Sequence, residues 1–167
     1  RPDAVSEYVR AVRAASSRPL LAKLSAGGGL VALADAALRA GADGLTLVNA
    51  VRGLRIDVET GKALLARATG GLCGPAILPI ALAAVYEARR AFPEAFLVGT
   101  GGVVTARDAV EMLCAGANLV GVGFGVMADP AAVFGLAEGL ERWLDARGVA
   151  DVAEVVGAAH RGGWRVP

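Results

Sequence analysis

Three features of the sequence predict an α/β fold of about four βα units, the carboxyl-terminal half of a (β/α)8 TIM barrel. Short apolar runs alternate with segments of helical period, the order that parallel strands and their crossovers require. Two of the runs, Leu97-Val98-Gly99-Thr100 and Leu119-Val120-Gly121-Val122, open onto bare glycine turns, Gly101-Gly102 and Gly123, one unit apart. Two consecutive late βα loops are where such a barrel commonly holds a phosphate. A closed barrel has eight strands and takes about 250 residues; the four strands read here supply half of one.

The elements follow in order. Val5, Tyr8, Val9 and Val12 recur at spacings of three and four, which predicts a helix over residues 4–15, ahead of Ser16-Ser17-Arg18-Pro19. A strand over about 20–25 comes next, and Gly27-Gly28-Gly29 frees the backbone before a helix from about Leu30 to Arg39. Gly41-Ala42-Asp43-Gly44 turns into a strand over 45–49 that ends in Asn49. Residues 50–79 are too polar and glycine-punctuated for one element and read as a long connection. Helix 79–92, strand 97–100, helix 106–115, strand 119–123 and a carboxyl-terminal amphipathic helix over about 131–146 complete the pattern, so that residues 1–167 read as one partial-barrel domain. Gly-Ala-Asp-Gly (41–44) and Gly-Ala-Asn-Leu (116–119) occupy equivalent turns, a weak internal repeat. The tail carries a short helical segment around Val152-Ala153-Glu154-Val155 and the sole histidine, His160, which reads as a surface residue. Arg1-Pro2-Asp3 starts inside a helix and lacks the order of a signal peptide, so the chain reads as one entered partway through. Leu21, Leu45, Leu47, Val98 and Val120 are expected to face a barrel interior that lacks its opposite wall.

Composition narrows the function. Hydrophobic residues make up 55% of the chain and aromatic residues 5%, which suits a buried core of Ala, Val and Leu. Lys plus Arg number 17 against 16 for Asp plus Glu, and the net charge of +1 gives no electrostatic case for nucleic acid or an anionic membrane. No apolar stretch approaches the ~20 residues of a membrane span. Cys73 and Cys114 have neither metal-ligand spacing nor a disulfide framework, so no metal is expected and a reducing cytoplasm fits; Cys114 reads as core.

The chemistry lies at the strand ends. Glycines there remove each Cβ, so that backbone N–H groups can approach an anion, and the following helix turns its positive end the same way. Each turn alone also suits a plain strand-to-helix connection. Lys23, in an apolar strand, must be paired or face an anionic ligand, unless its ammonium snorkels to water. Asn49 can donate to and accept from a planar amide or imide ring, or form a turn. Glycines and prolines crowd Thr69-Gly70-Gly71-Leu72-Cys73-Gly74-Pro75-Ala76-Ile77-Leu78-Pro79, a bare backbone suited to the wall of a flat ligand.

Ala22-Lys23-Leu24-Ser25, the stretch from Gly41 to Asn49, Gly53-Leu54-Arg55-Ile56-Asp57, the loop from Thr69 to Ile77, Gly99-Thr100-Gly101-Gly102-Val103 and Gly121-Val122-Gly123 together resemble the carboxyl-terminal half of a class 1 dihydroorotate dehydrogenase. The resemblance covers about residues 18–145, is most specific in the Thr69–Ile77 loop, and leans toward the NAD-linked class 1B. It implies a flavin mononucleotide (FMN) site. Lys23 would sit near the N1/O2 edge of the flavin, the backbone of Val48 and Gly74 would line it, and Gly101, Gly102, Gly123 and Phe124 would bind its phosphate. Asn49 and Ala50 would face the pyrimidine. The implied reaction is oxidation of dihydroorotate to orotate in pyrimidine biosynthesis, by a cytoplasmic homo-oligomer working with an iron–sulfur and FAD electron-transfer subunit; fumarate or quinone as acceptor stays open.

The sequence also departs from the family pattern. Ala50 stands where Thr or Ser is usual, Phe124 where Thr is usual, Arg52 and Arg55 at commonly apolar positions, and Ala26-Gly27-Gly28 in place of Pro-Asn. The family's base, a Cys or Ser in the amino-terminal half, has no counterpart, so no catalytic residue is expected in this chain. Cys73 stands where Ser is frequent and is not read as that base. Two other readings remain: another FMN- or phosphate-binding barrel, such as a dihydropyrimidine dehydrogenase-like domain, and a non-catalytic half-barrel that pairs with another chain.

Overall fold

The first helix, α1 (Pro2–Ala15), leads into β1 (Leu21–Ser25), α2 (Leu30–Arg39) and β2 (Gly44–Asn49) in a computed structural model that describes residues 1–164. After an antiparallel ribbon of β3 (Val51–Leu54) and β4 (Thr69–Leu72), the alternation resumes with α3 (Leu78–Ala91), β5 (Phe96–Thr100), α4 (Ala106–Ala115) and β6 (Leu119–Gly121). A short helix α5 (Phe124–Ala128) precedes α6 (Ala132–Asp145). The four strands β1-β2-β5-β6 lie side by side and all parallel, with the crossover helices on one face, as in half of a barrel.

The period of two in β1 settles which face is which. Ala22 and Leu24 are buried while Leu21, Lys23 and Ser25 are exposed. Register carries this across the sheet: Ala22 pairs with Leu45 and Leu45 with Leu97, whereas Lys23 pairs with Thr46, Thr46 with Val98, and Val98 with Leu119. Leu45, Leu47 and Leu97 are fully buried in the core beneath the helices, together with Ala34, Ala37, Ala81, Val85 and Met112. The expectation that Leu45, Leu47 and Val120 face the barrel interior is therefore corrected. The interior face is the row of Leu21, Lys23, Thr46, Phe96, Val98 and Leu119, of which Leu21, Phe96 and Leu119 are 38%, 40% and 56% exposed. The alternation Leu45-Thr46-Leu47 shows which residues share a side but not whether the helices or the barrel interior cover that side.

Residues 50–79 are more than a connection. β3 and β4 pair from Val51 opposite Leu72 to Leu54 opposite Thr69, and a bridge between Ile56 and Ala63 extends the ribbon. Asp57 closes its tip, accepting from Glu59 N and Thr60 Oγ1 at 2.9 Å each, which lowers its pKa. Gly71 is needed there, because a Cβ would come within 2.7 Å of Ala50 Cβ, whereas at Gly70 a Cβ would meet only the movable tip of Leu65, at 2.6 Å from Cδ1.

The two repeated turns do the same job with the same groups. Asp43 N donates to Leu20 O and Asn118 N to Leu97 O, both at 2.8 Å. A carboxylate oxygen of Asp43 accepts from Leu20 N at 2.7 Å and from Arg13; the amide oxygen of Asn118 accepts from Leu97 N at 2.9 Å and from Arg89 at 2.8 Å. Arg13 Nε donates to Gly41 O and Arg89 Nε to Gly116 O, both at 3.0 Å. Each arginine thus pins a helix to the turn before the second strand that follows it, and the chain is two quarter-barrels joined by the ribbon.

Two further readings change. β6 ends at Gly121, earlier than the 119–123 read from the sequence, because Phe124 starts α5. His160 is half-buried, not free on the surface: its ring stacks on Tyr86 with centroids 4.0 Å apart, and Nε2 lies 3.1 Å from Ala115 O. A polar tail gives no hint of this docking. Cys114 is half-buried against α6 and the tail, and desolvation pushes its thiol up to about 11, which keeps it protonated and inert. Among the described residues no helix is long and apolar enough to cross a membrane.

Candidate functional site

Parallel strands bring their carboxyl ends to one edge, so Ser25, Asn49, Thr100 and Gly121 lead their loops to the same side of the sheet. Gly101 and Gly102 have φ of 123° and 83°, values that favour glycine. At Gly102 a Cβ would come within 2.6 Å of Leu78 N, so the turn lies directly against the start of α3. At Gly101 a Cβ would meet Ala81, Ile77 and Val48 at 3.1–3.4 Å. Gly123 differs, since nothing lies within 4 Å of the position its Cβ would take.

Among the described residues, the N–H groups of Gly101, Gly102, Gly123 and Phe124 have no acceptor in the protein. Four free donors on two neighbouring turns are the kind of group that can receive an anion. One element expected to assist does not. The start of α4 is closed by its own side chains, with Asp108 Oδ2 accepting from Val104 N and Thr105 N at 2.9 and 2.8 Å and Thr105 Oγ1 accepting from Asp108 N at 3.2 Å. A carboxylate already occupies that positive end. The short helix after the last strand is instead α5, which has no side-chain cap and which the sequence reading missed.

Lys23 projects from the open face of β1, exposed and with no carboxylate within ion-pairing distance among the described residues. The register slips at the end of β1, so that Ser25 pairs with Asn49. Leu47 and Val48 are consequently both buried, and Val48 supports Gly101 from below while Asn49 and Ala50 emerge exposed. Ala50 lies beside Gly71 of the ribbon. Gly74, buried with φ 96°, begins the tight turn into α3, and its α-carbon is covered by the ring of Phe124. The sequence-predicted residues after β2, β4, β5 and β6 thus gather in loops along one edge, with Lys23 on the interior face below it. Cys73, next to Gly74, is exposed.

Glycine turns after two adjacent parallel strands, followed by a short extra helix, place this edge at the carboxyl-terminal face of a half (β/α)8 barrel. The family model described as dihydroorotate dehydrogenase matches residues 1–144, and the chain belongs to that family. It is 43% identical over 158 residues to the "Dihydroorotate dehydrogenase B (NAD(+)), catalytic subunit" of Geotalea uraniireducens, covering 94% of this chain and 52% of that protein. The proteins of the same description from Pelobacter propionicus and Desulforudis audaxviator are 44% and 43% identical, with 94% and 97% of this chain covered against 52% and 53% of theirs. The chain spans about half the length of the curated relatives it matches. The family is one of flavin-dependent oxidoreductases of pyrimidine biosynthesis.

Proposed function

We propose that this chain is the flavin-binding, carboxyl-terminal half of a dihydroorotate dehydrogenase of the NAD-linked type, oxidising dihydroorotate to orotate in the cytoplasm. The observation that carries the reading is the set of four unpaired amides, at Gly101, Gly102, Gly123 and Phe124, on two consecutive βα turns. FMN fits this donor set, because its phosphate needs several N–H donors and no side-chain base. When bound, FMN supplies a hydride acceptor.

The chain's own residues then divide the remaining work. Lys23 holds an unpaired positive charge on the interior face, where it favours the flavin's negative reduced form and an anionic substrate. Asn49 offers an amide donor and acceptor to a pyrimidine edge, and Ala50 leaves room beside it. The backbone of Val48 and Gly74 would wall the flavin. The proton removed from substrate goes to a Cys or Ser in the amino-terminal half, and electrons leave through a separate iron–sulfur and FAD subunit. Exposed Cys73 plays neither part: the described residues place no histidine near it, His160 being packed on Tyr86.

Co-expression with the amino-terminal half of a relative tests this. The assembled barrel should purify yellow, shift its flavin spectrum with orotate and oxidise dihydroorotate. A folded, colourless assembly would argue against it.

A further inference from the structure

The ring of Phe124 covers Gly74. Its Cδ2, Cε2 and Cγ lie 3.5–3.6 Å from the point where a Cβ on Gly74 would sit, so the ring faces the Gly74 α-carbon at about one carbon's remove. The two residues belong to different parts of the candidate site. Gly74 starts the turn into α3, its carbonyl accepting from Ile77 N at 3.1 Å, whereas Phe124 starts α5 beside Gly123, whose carbonyl accepts from Met127 N at 3.3 Å. Among the described residues no backbone hydrogen bond joins residues 73–75 to residues 122–125. Gly74 has φ 96°, so it carries no side chain that could reach across instead.

We propose that Phe124 is a positioning residue: its ring, seated on Gly74, locks the loop that walls the flavin ring to the turn that binds the flavin phosphate. Its backbone N–H and its side chain have separate duties, the first toward the anion and the second toward Gly74. The proposal rests on the flavin reading for its consequence, but the coupling itself is a property of the protein alone. The ring is 40% exposed, with one side toward water and the other toward Gly74, so removing it takes away the side-chain contact between the two loops and frees both together.

Amide hydrogen exchange on the ligand-free chain reads the coupling without any cofactor. Phe124→Ala should speed exchange at Ile77 and at Met127 alike, each by about tenfold, while Phe124→Leu, which keeps an apolar cover on Gly74, should restore most of the protection. Faster exchange at Met127 alone would overturn the proposal, as would no change at either. In the flavin-loaded barrel, Phe124→Ala should weaken riboflavin and FMN by a similar factor, because the wall is disturbed as well as the phosphate turn. Loss of FMN affinity with riboflavin unchanged would reduce Phe124 to a phosphate neighbour. If the unaltered barrel bound no flavin, the flavin reading would fail while the exchange result still judged the coupling.

Discussion

Gly123 and Gly102 look alike in the sequence but carry different loads. A Cβ on Gly102 meets backbone at 2.6 Å in a conformation that side chains rarely adopt, so Gly102→Val should disrupt the α3 junction and lower stability by several kcal/mol whatever is bound. Gly123→Val enters open space, so the melting temperature should hardly move while FMN affinity falls far more than riboflavin affinity. Thermal unfolding with parallel titrations of the two flavins separates these cases; equal loss of both flavins at Gly123 would contradict a phosphate role. Lys23→Ala removes an exposed charge with no ion-pair partner, so stability should be nearly unchanged. Flavin reduction in the completed barrel should slow by about 10- to 100-fold, the worth of a charge-assisted hydrogen bond of about 1.5–3 kcal/mol. Stopped-flow reduction at unchanged speed would remove Lys23 from the site. Lysine in an apolar strand and glycine after one are visible in sequence, because their chemistry is local. The ring of Phe124 facing Gly74 was not, since the forty-nine residues between them have to fold first.

The strands and crossover helices were readable because each carries its own period and its own glycine or proline punctuation. The ribbon of β3 and β4 was not: Gly70 and Gly71 suppress strand propensity, and the partner strand lies across a fourteen-residue loop. The interior face of β2 was also misassigned, because only its register with β1 shows which residues share a side with Lys23. The repeated turns were legible as a motif, and their chemistry makes a prediction. The Asp43 carboxyl is held below the usual carboxylate range, first by the hydrogen bond from Leu20 N and then by Arg13. A depressed folded-state pKa contributes stability above the unfolded value of about 4 and loses it as pH falls through the folded one. Asp43→Asn should therefore fold, as Asn118 does the same work uncharged, and should be less stable than the parent at neutral pH by a margin that shrinks in acid. Melting curves at pH 7 and about pH 3 check this; a margin independent of pH would contradict it.

At the scale of the molecule, the sheet ends in two open edges, β1 and β6, and shows water an interior face that includes Leu21, Phe96 and Leu119. Half of a barrel has no opposite wall, and apolar area is worth ~25 cal/mol per Å2 when covered. The chain by itself should therefore self-associate at low micromolar concentration, and sedimentation velocity should show species larger than 16.8 kDa. A stable monomer would mean that the interior face is satisfied in some other way. The central claim is that the paired turns at the carboxyl edge hold a flavin phosphate. The measurement that tests it most directly is the ratio of FMN to riboflavin affinity, by fluorescence titration, in the barrel completed with the amino-terminal half of a relative. Four free amides receiving a phosphate predict a ratio of roughly a hundredfold or more, whereas equal affinity for the two flavins would contradict the account.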